Sequence, residues 1–205
     1  WKFEGNVSDS SGNDNDGVAI GGPGFGEGKI GKALKLNGLS QRVELPKLAS
    51  GIDQLTIAIW IHVDHMPSSE KFVSIYHNNG WTVGDVHLGY AGQEGVLDLG
   101  INGNMPSMSV PTFRVKDLQK RWVHLATTYN GDNKKEVRFY LDGQPGEVFK
   151  LEEANPVNLG PARIGAWDVE PRWFDGQIDE LYIYERVLTD EEIRVLFEVG
   201  SKKPR

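Results

Sequence analysis

Nine consecutive residues, Asp9-Ser10-Ser11-Gly12-Asn13-Asp14-Asn15-Asp16-Gly17, form the richest oxygen cluster in the chain. Hard cations such as Ca²⁺ take about six to eight oxygens from carboxylates, amides and backbone carbonyls, and a Gly/Asn-rich loop can turn its carbonyls inward to supply them. The EF-hand register fails, because Gly12 and Gly17 lack Asp or Asn at the required preceding positions. Asp, Asn and Gly are also the generic turn residues. On composition alone a solvated turn is the stronger reading.

A second group could recognise a sugar. Sugars present C–H faces that stack on aromatic rings, and hydroxyls that pair with Asn, Asp, Arg and His. The stretches His77–Trp81 and Ala166–Trp173 hold that mixture. The candidate ligand-binding residues are His77, Trp81, Tyr90, Trp167, Arg172 and Trp173, in or near loop-like stretches. Exposed aromatics mark binding surfaces, but large rings also stabilise loops. Trp60 and Trp122 lie inside alternating runs and read as packing, as do His62 and His124.

Other motifs fail on inspection. Gly26-Glu27-Gly28-Lys29-Ile30-Gly31-Lys32 imitates the start of a P-loop, but Ala33 stands where a Ser/Thr hydroxyl must hold Mg²⁺. Phosphate loops also open a helix, whereas Ala33–Gly38 alternates and breaks; a Gly-rich turn entering a strand is expected. The sequence contains no GxSxG, no HExxH and no cysteine. No catalytic residue is assigned, and an enzyme is the less favoured reading.

The bulk properties agree. A net charge of −7 argues against a nucleic-acid partner, which needs a basic face, and against an anionic membrane surface. No apolar run approaches spanning length. Hydrophobic content of 39% suits a globule with a sufficient core, and nothing reads as a linker, so residues 1–205 are taken as one domain. The chain opens at Trp1, which suggests an excised domain or a processed mature chain. Asn6-Val7-Ser8 fits a glycosylation sequon, relevant only in a eukaryotic secretory setting.

The elements that must position these groups are strands. Leu55, Ile57, Ile59, Ile61 and Val63 alternate with Thr56, Ala58, Trp60 and His62. Residues 122–129 and 137–141 alternate likewise, followed by Asn130-Gly131 and Asp142-Gly143, both hairpin signals. Weaker strands are expected near 33–37, 42–45, 72–76, 82–90, 96–101, 111–115, 162–166 and 178–184. Thr189 and Glu192 make a capping box, and Ile193, Leu196 and Phe197 an apolar face. They predict a helix at about 190–199, capped by Gly200 and packed on a sheet edge. The whole reads as all-β, a two-sheet antiparallel sandwich with one short C-terminal helix.

An ordered set of motifs then carries a family likeness. It comprises Asp9-x-Ser11-Gly12-Asn13 with Gly17; Gly28-Lys29-Ile30-Gly31-Lys32-Ala33-Leu34; Thr56-Ile57-Ala58-Ile59-Trp60; Trp122-Val123-His124-Leu125-Ala126 with Tyr129-Asn130-Gly131; Tyr140-Leu141-Asp142-Gly143; and Phe174-x-Gly176-x-Ile178-Asp179-Glu180 before Leu188-Thr189 and Glu192-Ile193. The chain resembles the laminin-G-like jelly-roll domains of the concanavalin-A-like lectin/glucanase superfamily. The resemblance implies two curved antiparallel sheets, frequent Ca²⁺ binding, and use as a carbohydrate- or protein-binding module of exported proteins. It implies a calcium ion between the N-terminal loop and the late Ile-Asp-Glu segment, with Asp9, Asn13 and Asp179 at the matching positions. Carbonyls of Gly12 or Gly17 are alternatives to the Asn13 side chain. The glucanases of this superfamily need glutamates at alternate positions of one strand; Gln177 stands at the first.

The resulting expectation is a calcium-stabilised, lectin-like module for a glycan or polysaccharide, located outside the cell, at its surface or in a periplasm. A protein-interaction or adhesion domain is the alternative, and a glycan-active lyase or hydrolase a more distant one. Family membership alone fixes none of these.

Overall fold

The computed structural model describes residues 1–65, 72–91, 96–101, 104–110, 120–132, 134–167 and 172–202. Its strands are β1 (Val18–Ile20), β2 (Gly24–Glu27), β3 (Lys32–Asn37), β4 (Arg42–Leu45), β5 (Ala49–Ile52), β6 (Gln54–Val63), β7 (Phe72–Asn78), β8 (Val86–Ala91), β9 (Val96–Ile101), β10 (Asn104–Val110), β11 (Trp122–Asn130), β12 (Glu136–Leu141), β13 (Gln144–Lys150), β14 (Val157–Leu159), β15 (Ala162–Ile164) and β16 (Asp175–Tyr184), with helix α1 (Asp190–Ser201).

Two seven-stranded antiparallel sheets face each other. The first runs β1-β4-β15-β7-β8-β9-β10 and the second β13-β12-β11-β6-β16-β3-β2; β14 and β5 form a small third sheet. Hairpin neighbours such as β7-β8-β9-β10 and β11-β12-β13 are joined in each large sheet to strands distant in sequence, through β4-β15-β7 and β11-β6-β16-β3, as a jelly roll requires. The core lies between them: Leu55, Ile57, Ile59, Ile61 and Val63 of β6 meet Val43, Ile75, Tyr76, Val86, Leu88 and Ile164 of the first sheet, all buried.

Period-two patterning accounts for these strands, and the departures have local causes. Asp142 and Gly143 both have positive φ (49° and 73°), so β12 and β13 are joined by the two-residue turn their types demand. After Asn130 the turn is longer: β11 keeps pairing through Asn130, opposite both Gln54 and Glu136, and β12 resumes at Glu136. The strand expected near 111–115 lies outside the described residues.

The helix expectation needs two corrections. α1 sits on the outer face of the second sheet, not on an edge: Ile193 and Leu196 pack on Ala58, Ala126, Tyr140 and Leu188, and Phe197 stacks on Trp60 at 5.6 Å. Gly200 is inside α1, not its cap. A Cβ there would stand 2.5 Å from Trp60 Nε1, so glycine is what lets the helix approach the indole. The capping box at Thr189 and Glu192 is present. Both faces of β6 are therefore buried, which explains why Trp60 and His124 behave as packing residues.

Candidate functional site: an aromatic platform on the first sheet

The outer face of the first sheet carries a cross-strand row. Register places Glu44 beside Arg163, Arg163 beside His77, and His77 beside His87. Alternation along β8 sends Val86, Leu88 and Tyr90 to the core, leaving His87 outside. His77 and His87 contact each other, Nδ1 to Nδ1 at 2.6 Å. His77 Nδ1 also lies 3.0 Å from the Asn78 carbonyl, which can only accept. The proton therefore sits on His77 Nδ1, and His87 Nδ1 accepts it. Burial, then the neighbouring His87, pushes the His77 pKa down to about 3, so His77 is uncharged at neutral pH.

Two tryptophans cover this pair. Trp81 stacks on His87 at 4.5 Å with planes 13° apart, and Trp167 stacks on His77 at 4.7 Å. The indoles lie 5.5 Å apart, and the Arg172 guanidinium sits 4.3 Å above Trp167. The two rings differ in exposure: Trp81 is 59% exposed and Trp167 only 8%. Trp81 is thus an open stacking face, and Trp167 is the brace behind it. The buried Trp167 Nε1 makes no hydrogen bond among the described residues.

The loops that hold these rings are anchored. In 79–85, one Asp85 oxygen accepts Thr82 N–H (2.6 Å) and Thr82 O–H (2.9 Å), and the other accepts Asn78 Nδ2 (3.1 Å). Asn158 N–H donates to Gly84 O, tying the loop to β14. The loop carrying Trp167 and Arg172 is closed at its base, where Phe174 N–H donates to Gly165 O and Gly165 N–H to Ile75 O. Gly165 has φ +79°, and a Cβ would stand 2.2 Å from Leu36 Cδ1, so this turn admits only glycine.

Of the six residues expected on one surface, the structure gathers His77, Trp81, Trp167 and Arg172. Tyr90 is not there: it is fully buried, packed edge-on against Phe174 at 6.4 Å, because strand alternation points it inward. Trp173 is half-buried and, among the described residues, joins none of the ring contacts linking Trp81 to Trp167. His87 escaped the sequence reading, although the Val86-Leu88-Tyr90 alternation already placed it outward.

The residues expected to hold calcium lie in different settings. Asp9 Oδ1 accepts Ser11 N–H, and Oδ2 accepts Ser11 O–H and Asn15 N–H, so its carboxylate is engaged within its own loop. Those bonds outweigh partial burial and lower its pKa. With Asn13 it lines a cavity of about 310 Å³ bordered by Tyr182 and Tyr184, a lining that excludes Asp179. Asp179 is fully buried. Its Oδ2 accepts Ile30 N–H at 2.9 Å, while Oδ1 has no hydrogen-bond partner among the described residues. Burial raises its pKa to about 7, opposed by the Ile30 N–H and reinforced by Glu180. Ca²⁺ needs about six to eight oxygens in all, and this unpartnered buried carboxylate oxygen is one donor that a cation can take. Asp9 and Asn13, as held here, do not face it, and no three His, Cys, Asp or Glu side chains converge on one point among the described residues.

Comparisons agree with this architecture. A domain of an extracellular arabinanase from Geobacillus stearothermophilus, solved with arabinotriose, superposes with TM-score 0.76 at 24% identity, covering 96% of this chain and 95% of that one. The binding domain of a paraclostridial mosquitocidal protein gives 0.79 at 18% identity, covering 97% of this chain and 50% of that one. A botulinum neurotoxin type C structure, titled for cell entry through two ganglioside molecules, gives 0.74 at 15% identity, with 94% and 48% covered. The chain spans about half the length of these toxin domains, and at such identities the likeness is one of fold. Among curated proteins none matches the chain. The laminin G family model, described as the concanavalin A-like lectin/glucanases superfamily, matches residues 37–194, and the chain belongs to that family.

Proposed function

We propose that this domain is a carbohydrate-binding module whose sugar stacks on Trp81. The observation that carries the reading is the exposed Trp81 face, held flat on His87 and braced by Trp167 and Arg172. An indole this exposed gains nothing from solvent; covering it with a sugar C–H face contributes about 0.5–1.5 kcal/mol. The relative solved with arabinotriose supports a glycan ligand, and its extracellular setting supports an exported parent protein.

One observation favours a second reading. Val83, 63% exposed, shares the loop with Trp81, so the same apolar tip also suits a protein partner; a related botulinum binding domain was solved with rat synaptotagmin II. A glycan array separates the two, and adding EDTA in parallel tests the metal. Sugar binding predicts discrete hits, beginning with arabinotriose and arabinan. No hit on any glycan would leave the protein-partner reading. A reducing-end assay on each hit tests for cleavage, and new ends would make the domain an enzyme.

The same reading includes one Ca²⁺ at Asp179, where the unpartnered oxygen supports it. Asp9 and Asn13 would join it only if their loop opened. Its role would be structural, beside the Ile30 N–H bond to Asp179 Oδ2 that already ties the late strand β16 to the Ile30 turn.

A further inference from the structure

We propose that an open groove on the outer face of the second sheet is a second sugar-binding site, separate from the Trp81 platform. The groove measures about 450 Å³ and is lined by Gly26, Glu27, Gly28, Lys35, Trp122 and Gln177. That lies within the roughly 300–1,000 Å³ of ligand sites. Register builds it: Trp122 pairs with His62, His62 with Gln177, and Gln177 with Lys35, one row across β11, β6, β16 and β3. Paired positions project from the same face, so the four side chains share one surface.

The glycine-rich segment, which makes no phosphate loop, has its use here. A Cβ at Gly26 would stand 3.6 Å from Gln177 Oε1, and one at Gly24 would stand 4.0 Å from Lys35 Cβ. Both glycines leave open the space that side chains would fill. Gln177 Oε1 is buried and accepts no hydrogen bond among the described residues. Trp122 is half-buried, with His62 tilted against it at 5.7 Å.

These groups select a ligand class. Trp122 offers a ring for a C–H face, Gln177 Oε1 and Glu27 accept hydroxyl protons, and Lys35 donates. Lys35 and Glu27 balance in charge, so the fit is a neutral sugar ring; an acidic one would meet the Glu27 carboxylate. The two sites lie on the outer faces of opposite sheets, so the domain could hold two points of one polysaccharide and gain avidity from the second.

Affinity electrophoresis in native gels containing arabinan, xylan or β-glucan tests this, with wild type, Trp81→Ala, Gly26→Val, Trp122→Ala and the double variant W81A/G26V. Gly26→Val fills the groove without backbone strain, because φ at Gly26 lies outside the left-handed region, and its melting temperature should match wild type. Each single variant should keep partial retardation in at least one gel, with Trp122→Ala about ten-fold weaker than wild type if one stacking contact is lost, and the double variant should lose it. The proposal is overturned if Gly26→Val matches wild type in every gel, if the double variant matches Trp81→Ala, or if Trp81→Ala alone removes all retardation. Weakening by Gly26→Val with no effect of Trp81→Ala would sink the Trp81 reading and keep this one. A wild type that no gel retards would contradict both.

Discussion

At the scale of single residues, two side chains decide most. Trp81 has one face on His87 and the other in solvent, so its removal should affect ligand more than fold. His77 is the opposite case: buried and neutral, with its pKa pushed to about 3, as is His124 at about 4 through burial beneath the helix, opposed by Asp142. In the unfolded chain both histidines take up protons below about pH 6.5, whereas the folded state keeps them neutral. The unfolded state then binds more protons, so stability is full above about pH 6.5 and falls as pH drops toward 4 and 3. Urea unfolding at pH 7, 5 and 4 should show that decline, and His77→Gln with His124→Gln should flatten it. Equal slopes for wild type and the double variant would show that these two groups do not set the acid sensitivity.

At the scale of elements, the site depends on how loops are tied down. Asp85 holds the Trp81 loop from beneath. Asp85→Ala removes one acceptor of the buried Asn78 amide, which keeps its bond to Asn158 O, and the acceptor of the Thr82 backbone N–H, so about 1–3 kcal/mol of stability should go, and glycan affinity should fall with it. Unchanged unfolding and affinity would mean that the loop is held by other bonds. Thr189→Ala removes the capping box of α1 and should cost about 1 kcal/mol, readable by urea unfolding, while affinity at the Trp81 platform stays put because α1 covers the opposite sheet from that platform.

Strand identity was readable where alternation was clean, as in β6, β11 and β12, because one buried face imposes period two. The strands β1, β2, β5 and β13 are not legible because they bury no regular face and so carry no period-two signal, whereas β4 and β15, as short as the first three, alternate and are legible. The same physics explains the partial success at the site. Trp81 is recognisable as a loop aromatic beside turn residues, but Tyr90, at the end of the strand expected near 82–90, is grouped with the binding rings although it continues the Val86-Leu88 alternation into the core. That Trp167 would brace and Trp81 present could not be read from types and spacing, because which ring covers the other is settled by two loops meeting in space.

At the scale of the whole molecule, two sheets bury one core and leave two outer faces, one carrying an aromatic platform and the other partly covered by α1. The buried Asp179 carboxylate, with one oxygen lacking a partner among the described residues, is a local penalty that a bound cation would offset. Calcium that binds only the folded chain would add about 2–3 kcal/mol at a hundred-fold excess over its Kd. The melting temperature should therefore rise with Ca²⁺ and fall with EDTA, and Asp179→Asn should abolish that dependence. A melting temperature indifferent to both would remove calcium from the account.

The central claim, that a sugar is held on the open face of Trp81, is tested most directly by the affinity of Trp81→Ala relative to wild type for arabinotriose or another array hit, measured by titration calorimetry. The prediction is a loss of about ten-fold, equivalent to about 1.4 kcal/mol. An affinity equal to that of the wild type would place the sugar elsewhere and contradict the claim.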